Sequence, residues 1–117
     1  MRAIDPRPGE ERAMARFHNG MRPVHPGEIL REEYLVPLDL SIAELAKELH
    51  VGTAQIDAIV RGDAGVASEI ALRLARYFGG DAETWLNLQQ AYDLKTAEQQ
   101  VGDAIRSEVA PRKAKAA

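Results

Sequence analysis

The sequence has no cysteine, which removes disulfides, thiolate metal sites and cysteine nucleophiles together. It also lacks any apolar run near the ~20 residues that a membrane-crossing helix needs. The N-terminus carries no apolar signal core, so the expected compartment is the cytosol, with no membrane partner. Excess charge of one sign is missing too: 15 basic against 18 acidic residues leave a net charge of −3. That balance argues against a chain that coats nucleic acid along its whole surface, although a local basic face remains open. No phosphate loop, nucleophile motif or dinucleotide fingerprint occurs. Neither an enzyme, nor a cofactor, nor a small-molecule substrate is therefore expected. His18, His25 and His50 stand at no ligand spacing to one another, and no metal site is expected.

What is present is helical. The 117 residues suit one domain, and the pattern shows no strand alternation and no repeat. Residues 1–20 read as a flexible extension, broken by Pro6, Pro8 and Gly9 and closed by an Asn19-Gly20 turn. Met21 offers a second translation start. Residues 21–96 read as the folded domain, and 97–117 as a further helical segment with a basic tail. Pro26 suits the first position of a helix, and His25 before it reads as a cap or packing residue. Ile29, Leu30 and Leu35 are the apolar members of that helix, which is expected to end near Val36 because of Pro37. Glu28, Glu32 and Glu33 read as charges complementing the helix dipole rather than as an acid–base pair.

Ser41-Ile-Ala-Glu44 is a capping box opening a second helix, with Leu45, Ala46 and Leu49 on its apolar stripe. His50-Val51-Gly52 forms a turn, and Thr53 is the expected N-cap of a third helix that buries Ile56, Ile59 and Val60 and stops at Gly62. Ser68 is the expected cap of a fourth helix, which Gly79-Gly80 ends. Asp81 caps a fifth, with Trp85, Leu88 and Tyr92 on one face. A weaker sixth segment steps through Ala97, Val101, Ile105 and Val109, and Gly102 weakens it.

Residues 41–61 have the form of a helix-turn-helix. Leu45 and Leu49 anchor the first helix, small Ala46 lets the second approach, Val51 plugs the turn, and Ile56 and Ile59 anchor the second from beneath. His50 sits where a left-handed backbone is needed, which histidine tolerates better than most residues. The N-terminal part of the second helix of such a unit enters the major groove. Its exposed residues here are Thr53, Ala54, Gln55, Asp57, Ala58 and Arg61. Gln55 suits bidentate pairing with adenine, Thr53 a phosphate or thymine methyl, and Arg61 the backbone. Asp57 repels phosphates yet suits a cytosine amino group. The helix N-termini at Ser41 and Thr53 suit phosphate, and Arg73 and Arg76 are further phosphate candidates. An ordinary αα-hairpin with a solvated face explains the same polar residues without DNA.

From Asn19 to about Glu98 the chain resembles the HigA-type (VapI-like) antitoxins of the XRE helix-turn-helix family. The resemblance rests on Met21-Arg-Pro-Val-His-Pro-Gly-Glu-Ile-Leu-Arg-Glu-Glu-Tyr-Leu35, Ala71-Leu-Arg-Leu-Ala-Arg-Tyr-Phe78 and Trp85-Leu-Asn-Leu-Gln-Gln-Ala-Tyr-Asp-Leu94. It implies an all-α fold, a five-helix lambda-repressor-like helix-turn-helix domain with an additional C-terminal helical segment. It also implies a homodimer on palindromic operator DNA in its own promoter, and a HigB-type mRNA-cleaving toxin as protein partner. Trp85, Leu88, Tyr92, Val101 and Ile105 are the expected dimer interface. Where the family loop resembles Gly-Lys-Arg-Gly-Ile, this chain has Gly62-Asp63-Ala64-Gly65-Val66, and Asp57 stands where asparagine is common. The alternative reading is a toxin-binding or orphan interaction module whose DNA affinity went with the basic loop.

Overall fold

A computed structural model of the protein describes residues 22–113. The leader expected over 1–20, the Met21 start and the last residues of the basic tail lie outside them. Five helices and no strand make up the described residues.

Helix α1 begins at Pro26–Ile29 and continues through Leu30–Leu35 in the wider π winding. His25 caps it, its Nδ1 accepting the Gly27 N–H at 2.9 Å. The extent matches the sequence expectation, but the winding was not legible. In α geometry Leu30 and Leu35 would stand about 140° apart around the axis. An i→i−5 ladder, seen where the Val36 N–H donates to the Arg31 carbonyl at 2.9 Å, sets residues five apart roughly one turn apart. Both leucines are consequently buried.

Helix α2 (Ile42–Leu49) opens with the expected capping box. Ser41 Oγ accepts the Glu44 N–H at 3.0 Å, and Glu44 Oε1 accepts the Ser41 N–H at 2.8 Å. His50 ends it in the left-handed region, φ 60° and ψ 45°, as the turn requires. Helix α3 (Thr53–Val60) and helix α4 (Ser68–Phe78) follow, and here two caps are corrected. Gly52 and Ala67 occupy the N-cap positions, extended in backbone and without a side-chain cap. Thr53 and Ser68 are already the first helical residues, so their hydroxyls do not close the helix ends.

Helix α5 (Ala82–Glu108) is 27 residues long and continuous. Asp81 caps it through Oδ1, which accepts the Thr84 N–H at 2.9 Å. The separate sixth segment is thereby corrected: it is the second half of α5. The Gly102 penalty of about 1 kcal/mol for a mid-helix glycine does not break it. Arg106 bonds Glu98 across that glycine, and Asp103 just beyond it.

The core gathers Leu30, Leu45, Ala46, Leu49, Ile56, Ile59, Ile70, Ala71, Leu74 and Trp85. Every residue that the helix-turn-helix pattern assigned to its buried side lies in this cluster or against it, including Val51. Trp85 is 4% exposed and packs against Tyr34 in a tilted arrangement, 5.4 Å between ring centroids. That leaves it almost no surface to give a second copy.

Candidate nucleic-acid interface

Helix α3 buries Ile56, Ile59 and half-buries Val60, which in helical register turns Ala54, Ala58 and Arg61 toward the opposite side. Gln55 flanks that strip on one side and Asp57 on the other. Thr53, Ala54, Gln55 and Arg61 are exposed, whereas Asp57 and Ala58 are half-buried. Two alanines along the middle leave the helix thin enough for close approach to a groove floor. The uncapped start of α3 adds a second feature: its first N–H groups have no side-chain acceptor, and the Thr53 hydroxyl is not spent on capping. An exposed N-terminus in that condition suits an anion. The α2 N-terminus differs, since Ser41 and Glu44 already close it. The Ser41 N–H and hydroxyl hold the Glu44 carboxyl below the usual carboxylate range.

Contacts outside the recognition helix set its position. Gly27 lies against the C-terminal end of α3, where a Cβ would stand 1.8 Å from the Ile59 carbonyl oxygen. His25, beside it, meets the Tyr92 ring edge-on at 4.8 Å. Burial pushes its pKa down, against the opposing pull of Asp93, the Ala64 carbonyl and Glu28. Gln89 on α5 accepts the Val66 N–H at 2.8 Å and so ties down the segment that leaves α3. Arg73 Nη1 donates to the Leu49 carbonyl at 2.8 Å while Nη2 pairs with Glu69. Sequence reasoning paired Arg73 with Arg76 as phosphate contacts, and the structure separates them. Arg73 closes the C-terminal end of α2 from α4, whereas Arg76 is exposed. Gln89 and Gly27 carried no functional assignment from sequence. Gly27 was visible within the His25-Pro-Gly run only as a helix start.

The charges on the exposed side are the least expected feature. Residues 41–67 contain two cations, Lys47 and Arg61, and four carboxylates, Glu44, Glu48, Asp57 and Asp63, for a net charge of −2 with His50 neutral. Arg61, the cation on α3's outer face, pairs through Nε with Asp57 at 2.9 Å and through Nη1 with Asp63. Among the described residues no group of three or more histidine, aspartate or glutamate side chains is placed to hold a metal ion. No described helix is long and apolar enough to cross a membrane.

Of the expected dimer residues, Leu88 and Tyr92 are half-buried within the chain, while Val101 and Ile105 are 43% and 50% exposed on α5. Leu94 and Val109 are exposed on the same helix and just beyond it.

The sequence model of the helix-turn-helix family matches residues 30–85. Virulence-associated protein I of Dichelobacter nodosus is 62% identical over 81 residues, covering 69% of this chain and 75% of its own. Among solved structures, the Pseudomonas aeruginosa antitoxin HigA with the higBA promoter superposes with a TM-score of 0.76 at 44% identity, over 79% of this chain and all of that one. Antitoxin GraA in complex with its operator gives 0.76 at 50% identity, over 82% of this chain and 97% of that one.

Proposed function

The chain belongs to the HigA-type helix-turn-helix family, and from that premise we propose that it is the antitoxin of a type II toxin–antitoxin pair. In this reading it binds operator DNA in its own promoter, represses its operon and neutralises an mRNA-cleaving toxin of the HigB type. It acts in the cytosol, without catalysis.

The observation that carries the reading is the recognition helix. Helix α3 is held from beneath by Ile56 and Ile59 and from one end by Gly27, with an uncapped N-terminus and an outward strip of exposed Ala54, half-buried Ala58 and exposed Arg61. Two relatives at 44% and 50% identity have been solved on promoter or operator DNA, which supports giving this face the same partner. Gln55 then pairs with adenine, Thr53 and the α3 N–H groups meet phosphate, and Ala54 and Ala58 meet thymine methyls. A homodimer places two such helices in half-sites about 34 Å apart. Val101 and Ile105 on α5 supply apolar surface for that contact.

A second reading keeps the toxin and gives up tight DNA binding, and the pairing of Arg61 with two aspartates favours it. Co-purification with the product of the adjacent reading frame tests the shared part. A short ribonuclease-like protein should come down with the antitoxin. An isolated gene with no captured toxin contradicts both readings. A mobility shift on upstream DNA separates them.

A further inference from the structure

We infer that Asp57 and Asp63 form a clamp on Arg61 that sets how strongly, and how selectively, this chain holds DNA. The inference rests on the DNA-binding reading and adds the residues that regulate it. One guanidinium lies between two carboxylates, one from the preceding turn of α3 and one from the loop that follows it. The three side chains are 58%, 43% and 59% exposed for Arg61, Asp57 and Asp63 respectively. Ion pairs in that much water contribute little to folding. The triad is thus a poor explanation of stability, yet it occupies the outer end of the recognition helix.

Its effect on DNA follows from charge counting. A phosphate approaching Arg61 can reach only what Nε and Nη1 leave over, and the two carboxylates held there stay within a few ångströms of it as like charges. The triad carries a net charge of −1, where an unpaired arginine would offer +1. Two unit charges about 5 Å apart in water repel by roughly 0.8 kcal/mol, a factor of about four, and more where the interface excludes water. Non-specific DNA offers only phosphates and bears this penalty in full. A cognate site compensates in part, because Asp57 stands where it accepts from a cytosine amino group. The clamp therefore weakens non-specific association more than operator binding, and repulsion against the wrong partner raises discrimination.

The test uses the full chain and the variants Asp63→Asn, Asp57→Asn and the double variant, with thermal melts confirming that each remains folded. Each protein is titrated by fluorescence anisotropy against a duplex from upstream of its own reading frame and a scrambled duplex of equal composition, at several salt concentrations. Asp63→Asn should tighten scrambled-duplex binding on the order of fivefold per protomer at low salt and steepen the log–log salt slope by about one. The same change should narrow the ratio between the two duplexes. If the wild-type chain binds its upstream duplex and the variants change neither affinity nor slope, the clamp is wrong while the DNA-binding reading stands. If the wild type fails to bind and the double variant binds, the clamp is upheld while the reading of the unmodified chain as an operator-binding repressor falls. If no variant binds at low salt, both fall.

Discussion

Replacing Gly27 with alanine tests how α1 holds the recognition helix. In an unhindered helix the change would stabilise by about 1 kcal/mol, because alanine is the better helix former. Here the new Cβ would stand 1.8 Å from the Ile59 carbonyl oxygen and 2.7 Å from its carbon, where real Cβ contacts essentially never fall under 3.0 Å. Both atoms are backbone, so no rotamer change relieves the clash; α1 must move off α3. Overpacking of this kind costs about 1–3 kcal/mol, occasionally more, and the backbone partner puts it at the upper end. After subtracting the propensity gain, a net loss of about 2 kcal/mol is expected. For a domain this size that is a fall in Tm of about 8–16 °C. Gly102→Ala is the matched control. Its Cβ would meet only the carboxylate end of Glu98, a flexible side chain that can swing away. That variant should gain about 0.5–1 kcal/mol from helix propensity. Circular dichroism melts of the two variants decide the matter. A Gly27→Ala protein that melts at or above the wild type refutes the close approach.

Three further outcomes follow from named contacts. His25 has a folded-state pKa below its ordinary value because of burial, so the unfolded chain binds the extra proton first. Its contribution is complete above about pH 6.5 and is lost as pH falls from there toward the folded value. Denaturant midpoints measured across that window should drop more for the wild type than for His25→Asn, which keeps an acceptor at the cap. Arg73→Ala should cost about 1–2 kcal/mol by removing the charge-assisted bond to the Leu49 carbonyl, and should leave the salt slope of DNA binding unchanged. A slope that falls by about one would instead make Arg73 a phosphate contact. Gln55→Ala should weaken binding to the upstream duplex by about 1–3 kcal/mol and leave scrambled DNA unaffected, as expected of a base contact.

How much could be read in advance depended on whether an interaction was local. The Ser41–Glu44 box, the Asp81 cap and the left-handed His50 are settled within four residues, and the structure has them as the pattern indicated. The buried side of the helix-turn-helix was equally legible, since Leu45, Ala46, Leu49, Ile56 and Ile59 recur at helical spacing. Caps at Thr53 and Ser68 were misplaced by one residue because the extended conformations of Gly52 and Ala67 depend on the turns before them. The α5 continuity was missed because the cost of Gly102 is a property of one residue. The Glu98–Arg106 bond that bridges it spans two turns of the helix face. The Arg73 bond to the Leu49 carbonyl was beyond local reasoning, because the two residues are 24 positions apart in the chain. Asp57 and Arg61 stand at i and i+4, and only the fold of the following loop showed that Asp63 joins them.

The most direct test of the central claim is the affinity of the unmodified protein for its own upstream duplex relative to a scrambled one, at about 50 mM and 200 mM salt. The account requires a sequence-specific complex at the lower salt and a shallow loss of affinity at the higher, because the recognition face brings few unpaired cations to the phosphates. Equal binding to both duplexes, or no complex at the lower salt, would contradict it.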